Sequence, residues 1–191
     1  MSSDFLTALT ETLSTEGWWS NNPRDPGGET WRGVARNRHP TWPGWAVVDA
    51  RRGEPDFPQC LRGDERLRGL VESFYRAEFW ELLGLDQLDD QRIAAKLFDM
   101  AVNMSPARAV RCLQKAINYL VPRPMEVSVD GRIGPLTLAA VRAQPPKRLF
   151  LALCGYHFCY YAGLIEDPNT ADECFAPGWL ARALAHTEEE D

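Results

Sequence analysis

Apolar residues fall at helical spacing from the start of the chain. Phe5, Leu6, Leu9 and Leu13 share one face, which predicts an amphipathic helix to about Thr15. Ser3 is placed to cap it, Asp4 suits the positive end of its dipole, and Gly17 ends it. From Trp18 to Val34 the text changes to Asn, Pro, Gly and Thr, with an Asp25-Pro26-Gly27-Gly28 turn, the chemistry of a hairpin or loop. Pro, Gly and Trp then dominate to Arg62, leaving room for a short helix near Trp45 to Arg51.

Helical periodicity returns at Asp64. Leu67, Leu70, Val71, Phe74 and Tyr75 form one stripe of a helix predicted to about Trp80, and another runs from about Asp89 to Asn103. Ser105-Pro106 reads as a cap followed by proline at the first helical position, opening a helix to about Leu120. Val127 to Ile133 alternates around Asp130-Gly131, which predicts a small hairpin. Helices follow at about Pro135–Ala143, Pro146–Leu164 and Gly178–His186, and Glu188 to Asp191 form a solvated acidic tail. The expected fold is mainly α with a small β-hairpin. At 191 residues the chain suits one domain, or a larger lobe joined to a small one.

Charge and composition narrow the function. A net charge of −6 argues against a general nucleic-acid binder, which needs surplus cations to displace counterions. Arg24, Arg32, Arg36 and Arg38 nevertheless cluster, either as a solvated face or as a patch facing an anionic polymer. Five cysteines, Cys60, Cys112, Cys154, Cys159 and Cys174, show no CxxC pair or zinc spacing, and His39, His157 and His186 are far apart. Reduced thiols are the simplest reading, one disulfide with a leftover thiol the alternative; no metal or cofactor is expected. Leu149 to Ile165 lacks Asp, Glu, Lys and Arg, just under spanning length. A buried central helix is the expectation and a membrane segment the alternative. The N-terminus has neither a basic start nor a long apolar core, so no signal peptide is expected.

Candidate chemistry begins at Glu16. It follows Leu13 by three residues and Leu9 by seven, so it falls on the apolar face, at the helix end where the dipole disfavours negative charge. Partial burial and dipole both raise a carboxyl pKa. A protonated carboxylic acid is what glycosidic cleavage needs, because the leaving oxygen must receive a proton. Taken alone, a Glu before Gly at a helix end reads first as a surface residue.

The longer run Glu16-Gly17-Trp18-Trp19-Ser20-Asn21-Asn22-Pro23-Arg24-Asp25-Pro26-Gly27-Gly28-Glu29-Thr30-Trp31-Arg32-Gly33-Val34 resembles the signature of glycoside hydrolase family 108, N-acetylmuramidases of the lysozyme superfamily. Trp18 stands where that family has a second Gly, Arg24 replaces an Asp, and Trp31-Arg32 replaces an Asn-aromatic pair. Phe98 to Met104, Leu113 to Ala116 and Asp130 to Thr137 are similar to the family's C-terminal peptidoglycan-binding part, with Ser105 where Gly is usual. Gly178 to Arg182 resembles its closing motif, with Ala181 for Asn.

The resemblance implies a lysozyme-like α+β fold with the hairpin beside a glycan cleft. It implies a catalytic region over 1–97 and a peptidoglycan-binding helical region over 98–187 packed on it, before the 188–191 tail. Glu16 would be the general acid of β-1,4 cleavage between N-acetylmuramic acid and N-acetylglucosamine. Asp25 and Thr30 would orient water or stabilise charge on the sugar, although Asp25 equally stabilises the turn it opens. Trp19, Trp31, Arg32 and Asn103 are candidate substrate contacts; Trp18, Trp42 and Trp45 either stack on sugars or fill a core, and Asn103 equally caps the next helix. A lytic transglycosylase and a non-catalytic wall-binding protein are the alternatives. The expected partner is the glycan strand, engaged by a monomer without nucleic acid or stable membrane insertion. The expected place of action is the cell wall, reached through a holin pore or a secretion system.

Overall fold

The computed structural model describes residues 3–14, 17–22, 25–166 and 176–184. Among them are eight α-helices and a three-stranded antiparallel sheet, so the protein is mainly α with a small β element. The chain divides into two compact units, residues 5–78 and residues 79–191 with the first four.

In the N-terminal unit, α1 (Phe5–Ser14) buries Phe5, Ala8, Leu9, Thr12 and Leu13, the face that the spacing predicts. Strands β1 (Trp19–Ser20), β2 (Thr30–Trp31) and β3 (Val34–Ala35) form a meander, with Trp31 opposite both Trp19 and Val34. The tightest turn is Arg32-Gly33 rather than Asp25 to Gly28. Both residues have positive φ, 46° and 81°, as a two-residue hairpin loop of the right twist requires. α2 (Gly44–Ala50) buries Trp45 and Val48. α3 (Glu65–Tyr75) starts at Asp64, whose carboxylate accepts from the Leu67 amide at 2.8 Å, and buries Leu67, Val71 and Tyr75. It runs on as a π-helical stretch, Arg76–Glu81.

In the C-terminal unit, α4 (Gln91–Met104) is capped by Asp90, which accepts from the amides of Arg92 and Ile93. Gln91 brackets the Asp4 backbone, and the Ser3 hydroxyl donates to the Leu85 carbonyl, which fastens the first residues to this unit. α4 is buried nearly all round, the mark of a central helix. α5 (Pro106–Leu120), α7 (Pro146–Glu166) and α8 (Ala176–Leu184) pack with it, and α6 (Pro135–Arg142) lies against α5 and α7. α7 buries Leu149, Phe150, Leu153, Cys154, His157 and Tyr161 on one face. By length and composition α7 is also able to cross a membrane.

Two local expectations are corrected. Ser105 makes no side-chain cap; it joins α4 to α5 at φ 86°, ψ 148°, a region that side chains disfavour and glycine accepts. That explains why glycine suits this position. No strands form at Val127 to Ile133. Side-chain amides of α5 hold this loop instead: Asn118 pairs with both backbone groups of Val127 at 2.8 Å, while Gln114 accepts from the Gly131 amide at 2.9 Å and donates to Asp130 at 2.8 Å. With those groups satisfied from the helix, strand pairing is unnecessary. The described cysteines, Cys60, Cys112, Cys154 and Cys159, are free thiols. Cys174, His186 and the acidic tail lie outside the described residues.

His157 is fully buried beside the Tyr161 ring, and neither ring nitrogen has a hydrogen-bond partner among the described residues. Burial pushes its pKa down to about 3, and the charges of Lys96 and Arg182 act in the same direction. Below the ordinary value of 6.5 the unfolded chain takes up a proton that the folded chain refuses. Stability is therefore lost as pH falls from 6.5 toward 3, by up to about 5 kcal/mol in total. Urea titrations across this range are expected to show the wild type losing stability relative to His157→Phe; a pH-independent difference would contradict the assignment.

Candidate active site

The N-terminal unit holds a cleft of about 530 Å³. One wall is the C-terminal turn of α1, with Leu9, Leu13 and Ser14; another is the sheet edge, with Trp18, Trp31 and Arg32. Leu61, Arg62 and residues of α3 complete it. Glu16 lies outside the described residues, as does Arg24. Both described residues two positions from Glu16, Ser14 and Trp18, line the cleft.

Arg32 ties together the two ends of the segment that carries Glu16. Its backbone amide donates to the Trp18 carbonyl at 2.9 Å, and its guanidinium donates to the Leu13 carbonyl at 3.3 Å. Leu13 belongs to the last turn of α1, where a cation complements the dipole. The same guanidinium stacks 3.4 Å above the Trp18 ring, and Arg62 approaches that ring at 5.6 Å. Tyr75 anchors the turn from α3, its hydroxyl donating to the Arg32 carbonyl at 2.8 Å. A side chain at Gly33 would collide with that hydroxyl.

Next to β2 lies a charge network that sequence reasoning missed. Glu29 is buried and accepts from Arg36 at 2.9 Å, from Arg52 at 2.7 Å and from the Trp19 indole at 3.0 Å. Asp49 closes the ring, bidentate to Arg36 and bonded to Arg52. Burial alone pushes the Glu29 carboxyl up, but hydrogen bonds from Arg52 and Trp19, with the charges of Arg52 and Arg36, hold it below its ordinary value. It is thus an anchoring carboxylate, unsuited to donating a proton. The available signal was strand alternation, which puts Glu29 on the inward face of Trp31. Arg36 is accordingly not part of an open basic patch, and it also stacks over Trp45 at 4.2 Å; Arg38 is exposed.

Trp31 and Arg32 line the cleft, while Trp19 faces Glu29 and packs edge-on against Phe57. Thr30 pairs with Ser20 and Ala35, its hydroxyl donating to the Gly28 carbonyl at 3.2 Å. Asp25 is exposed and accepts from the Gly27 amide at 2.8 Å, the turn-stabilising contact. Trp42 and Trp45 are core residues. Asn103 belongs to the C-terminal unit; it donates to the Asp99 carbonyl at 2.7 Å and accepts from Arg182, rather than capping α5. Glu54, Asp56 and Cys60 bring ligand atoms within 4.8 Å of one another, but Arg51 already pairs with Glu54 at 2.8 Å.

A family model described as "Glycosyl hydrolase 108" matches residues 9–105, and one described as "Predicted Peptidoglycan domain" matches residues 108–184. Among solved structures, the chain is similar to SagA of Brucella abortus, with 26% identity, 97% of each chain covered and a TM-score of 0.59. No curated protein matches the chain.

Removing Arg32 tests the clasp. Arg32→Ala is expected to lower stability by about 1–3 kcal/mol, through the lost stack, the lost hydrogen bond and relocation of Trp18. Arg32→Lys restores the charge but not the planar stack, so it should recover less than half of that loss. Urea denaturation with Trp fluorescence checks both, and a full rescue by Lys would reject the stacking role.

Proposed function

Because the chain belongs to glycoside hydrolase family 108, we propose that it is a peptidoglycan hydrolase cleaving the β-1,4 bond between N-acetylmuramic acid and N-acetylglucosamine. The observation that carries this reading is that Arg32 clasps Leu13 and Trp18, which flank Glu16 in sequence, and that both of them line an aromatic-walled cleft. Glu16 lies between them in sequence, three residues after Leu13 and two after the end of α1.

Glu16 donates its proton to the leaving oxygen as the glycosidic bond breaks and positive charge develops on the sugar. The family resemblance assigns Asp25 or Thr30, neither of which is among the residues that line the cleft, to orient the attacking water or stabilise that charge, and Trp18, 37% exposed, offers an apolar face to a sugar ring. Arg32 meets the lactyl or peptide carboxylates. Activity falls as pH rises through the pKa of this acid, since only the protonated form donates. The C-terminal unit, matching the peptidoglycan model over residues 108–184, retains the enzyme on the wall. The chain acts as a monomer in the cell wall, delivered by a holin pore or a secretion machine.

Mass spectrometry of products from purified peptidoglycan tests this reading. Wild type is expected to release reducing-end muropeptides, and Glu16→Gln to reduce the rate at least about 10²-fold, the scale of general acid catalysis. Anhydro products, lighter by one water, would replace hydrolysis by transglycosylation. No soluble product from folded wild type would leave a wall-binding protein instead.

A further inference from the structure

Helix α7 carries a second stripe, on the face its core contacts leave open. Arg148, Leu151, Gly155 and Tyr156 recur at helical spacing and, with Tyr119 and Leu120 at the end of α5, line a groove of about 620 Å³. Tyr119 is 76% exposed and Leu151 48%, large apolar surfaces left toward water. No carboxylate lines the groove, and Arg148 gives it a positive end. A Cβ added at Gly155 would meet nothing within 4 Å, so the helix backbone is open to an approaching group there.

We propose that this groove is a second carbohydrate-binding site, which takes a muropeptide segment of the glycan strand. The idea rests on the wall polymer being the substrate, and it names where the C-terminal unit would grip it. Its volume is within the range of sites for small ligands. The Tyr119 and Tyr156 rings offer faces for the C–H side of a sugar. Leu120 and Leu151 receive the N-acetyl methyl, and Arg148 pairs with the lactyl-linked peptide's carboxylate. A bilayer would also cover an apolar stripe. Stable surface binding there uses an amphipathic face rich in Lys and Arg, whereas this feature is concave, has one cation among its lining residues and includes tyrosines.

The test is co-sedimentation of the full chain with purified sacculi, using Glu16→Gln so that the polymer stays intact. Gly155→Trp fills the groove and is expected to raise the dissociation constant at least ten-fold. Arg148→Glu, a surface change, is expected to raise it several-fold and to flatten its salt dependence. Melting curves verify folding; if Gly155→Trp proves unstable, Arg148→Glu and Tyr119→Ala carry the test. Parental binding by folded variants would overturn the proposal, as would stronger parental sedimentation with phosphatidylglycerol vesicles than with sacculi. The readout is binding without turnover, so a failure here leaves the proposed hydrolysis standing. Conversely, groove-dependent binding without hydrolytic products from wild type would remove the hydrolase reading alone.

Discussion

Arg32 occupies a left-handed backbone position that costs an ordinary side chain about 1 kcal/mol, and three sets of contacts hold it there. Its amide secures Trp18, its guanidinium secures the end of α1, and its carbonyl is secured by Tyr75 from α3. A helix end, a sheet and a second helix thereby meet at one residue. The cleft wall exists because those elements are fixed there, and the candidate acid is carried on the short connection that Arg32 spans. Two-residue strands have little ladder hydrogen bonding of their own, so this sheet depends on such side-chain ties.

Glu29 supplies the complementary anchor. A carboxylate taken out of water is costly unless paired and hydrogen-bonded, and here two arginines and an indole satisfy it. The arrangement separates the roles of two glutamates that are close in sequence. One is held ionised beside the sheet; the other is, on the proposed reading, the protonated donor. Opposite environments for two carboxyls are how one small site keeps an acid beside permanently charged neighbours.

The helices were legible because apolar spacing of three and four survives from Phe5 to Tyr161, and Asp64 and Pro106 start α3 and α5 where local chemistry says they should. Trp31 and Arg32 were identified as candidates and line the cleft. Less was legible where distant residues decide the outcome. Val127 to Ile133 alternates like a strand, yet amides from Gln114 and Asn118 satisfy its backbone. Arg36 looked like part of a cationic patch because its partners, Glu29 and Asp49, lie seven and thirteen residues away. Asn103 looked free to cap or bind because Arg182 is seventy-nine residues distant. Pairings of that kind leave no local mark in a sequence.

The central claim is that glycan binds in the cleft walled by Trp18 and Trp31. Its most direct test is the indole N–H spectrum of ¹⁵N-labelled protein titrated with a soluble tetrasaccharide of alternating N-acetylglucosamine and N-acetylmuramic acid. The account predicts that Trp18, the exposed indole of the cleft, shifts while the core indoles of Trp42 and Trp45 do not; the proposed second groove has no tryptophan among its lining residues. Shifts confined to other tryptophans, or none at saccharide concentrations that saturate binding, would contradict it.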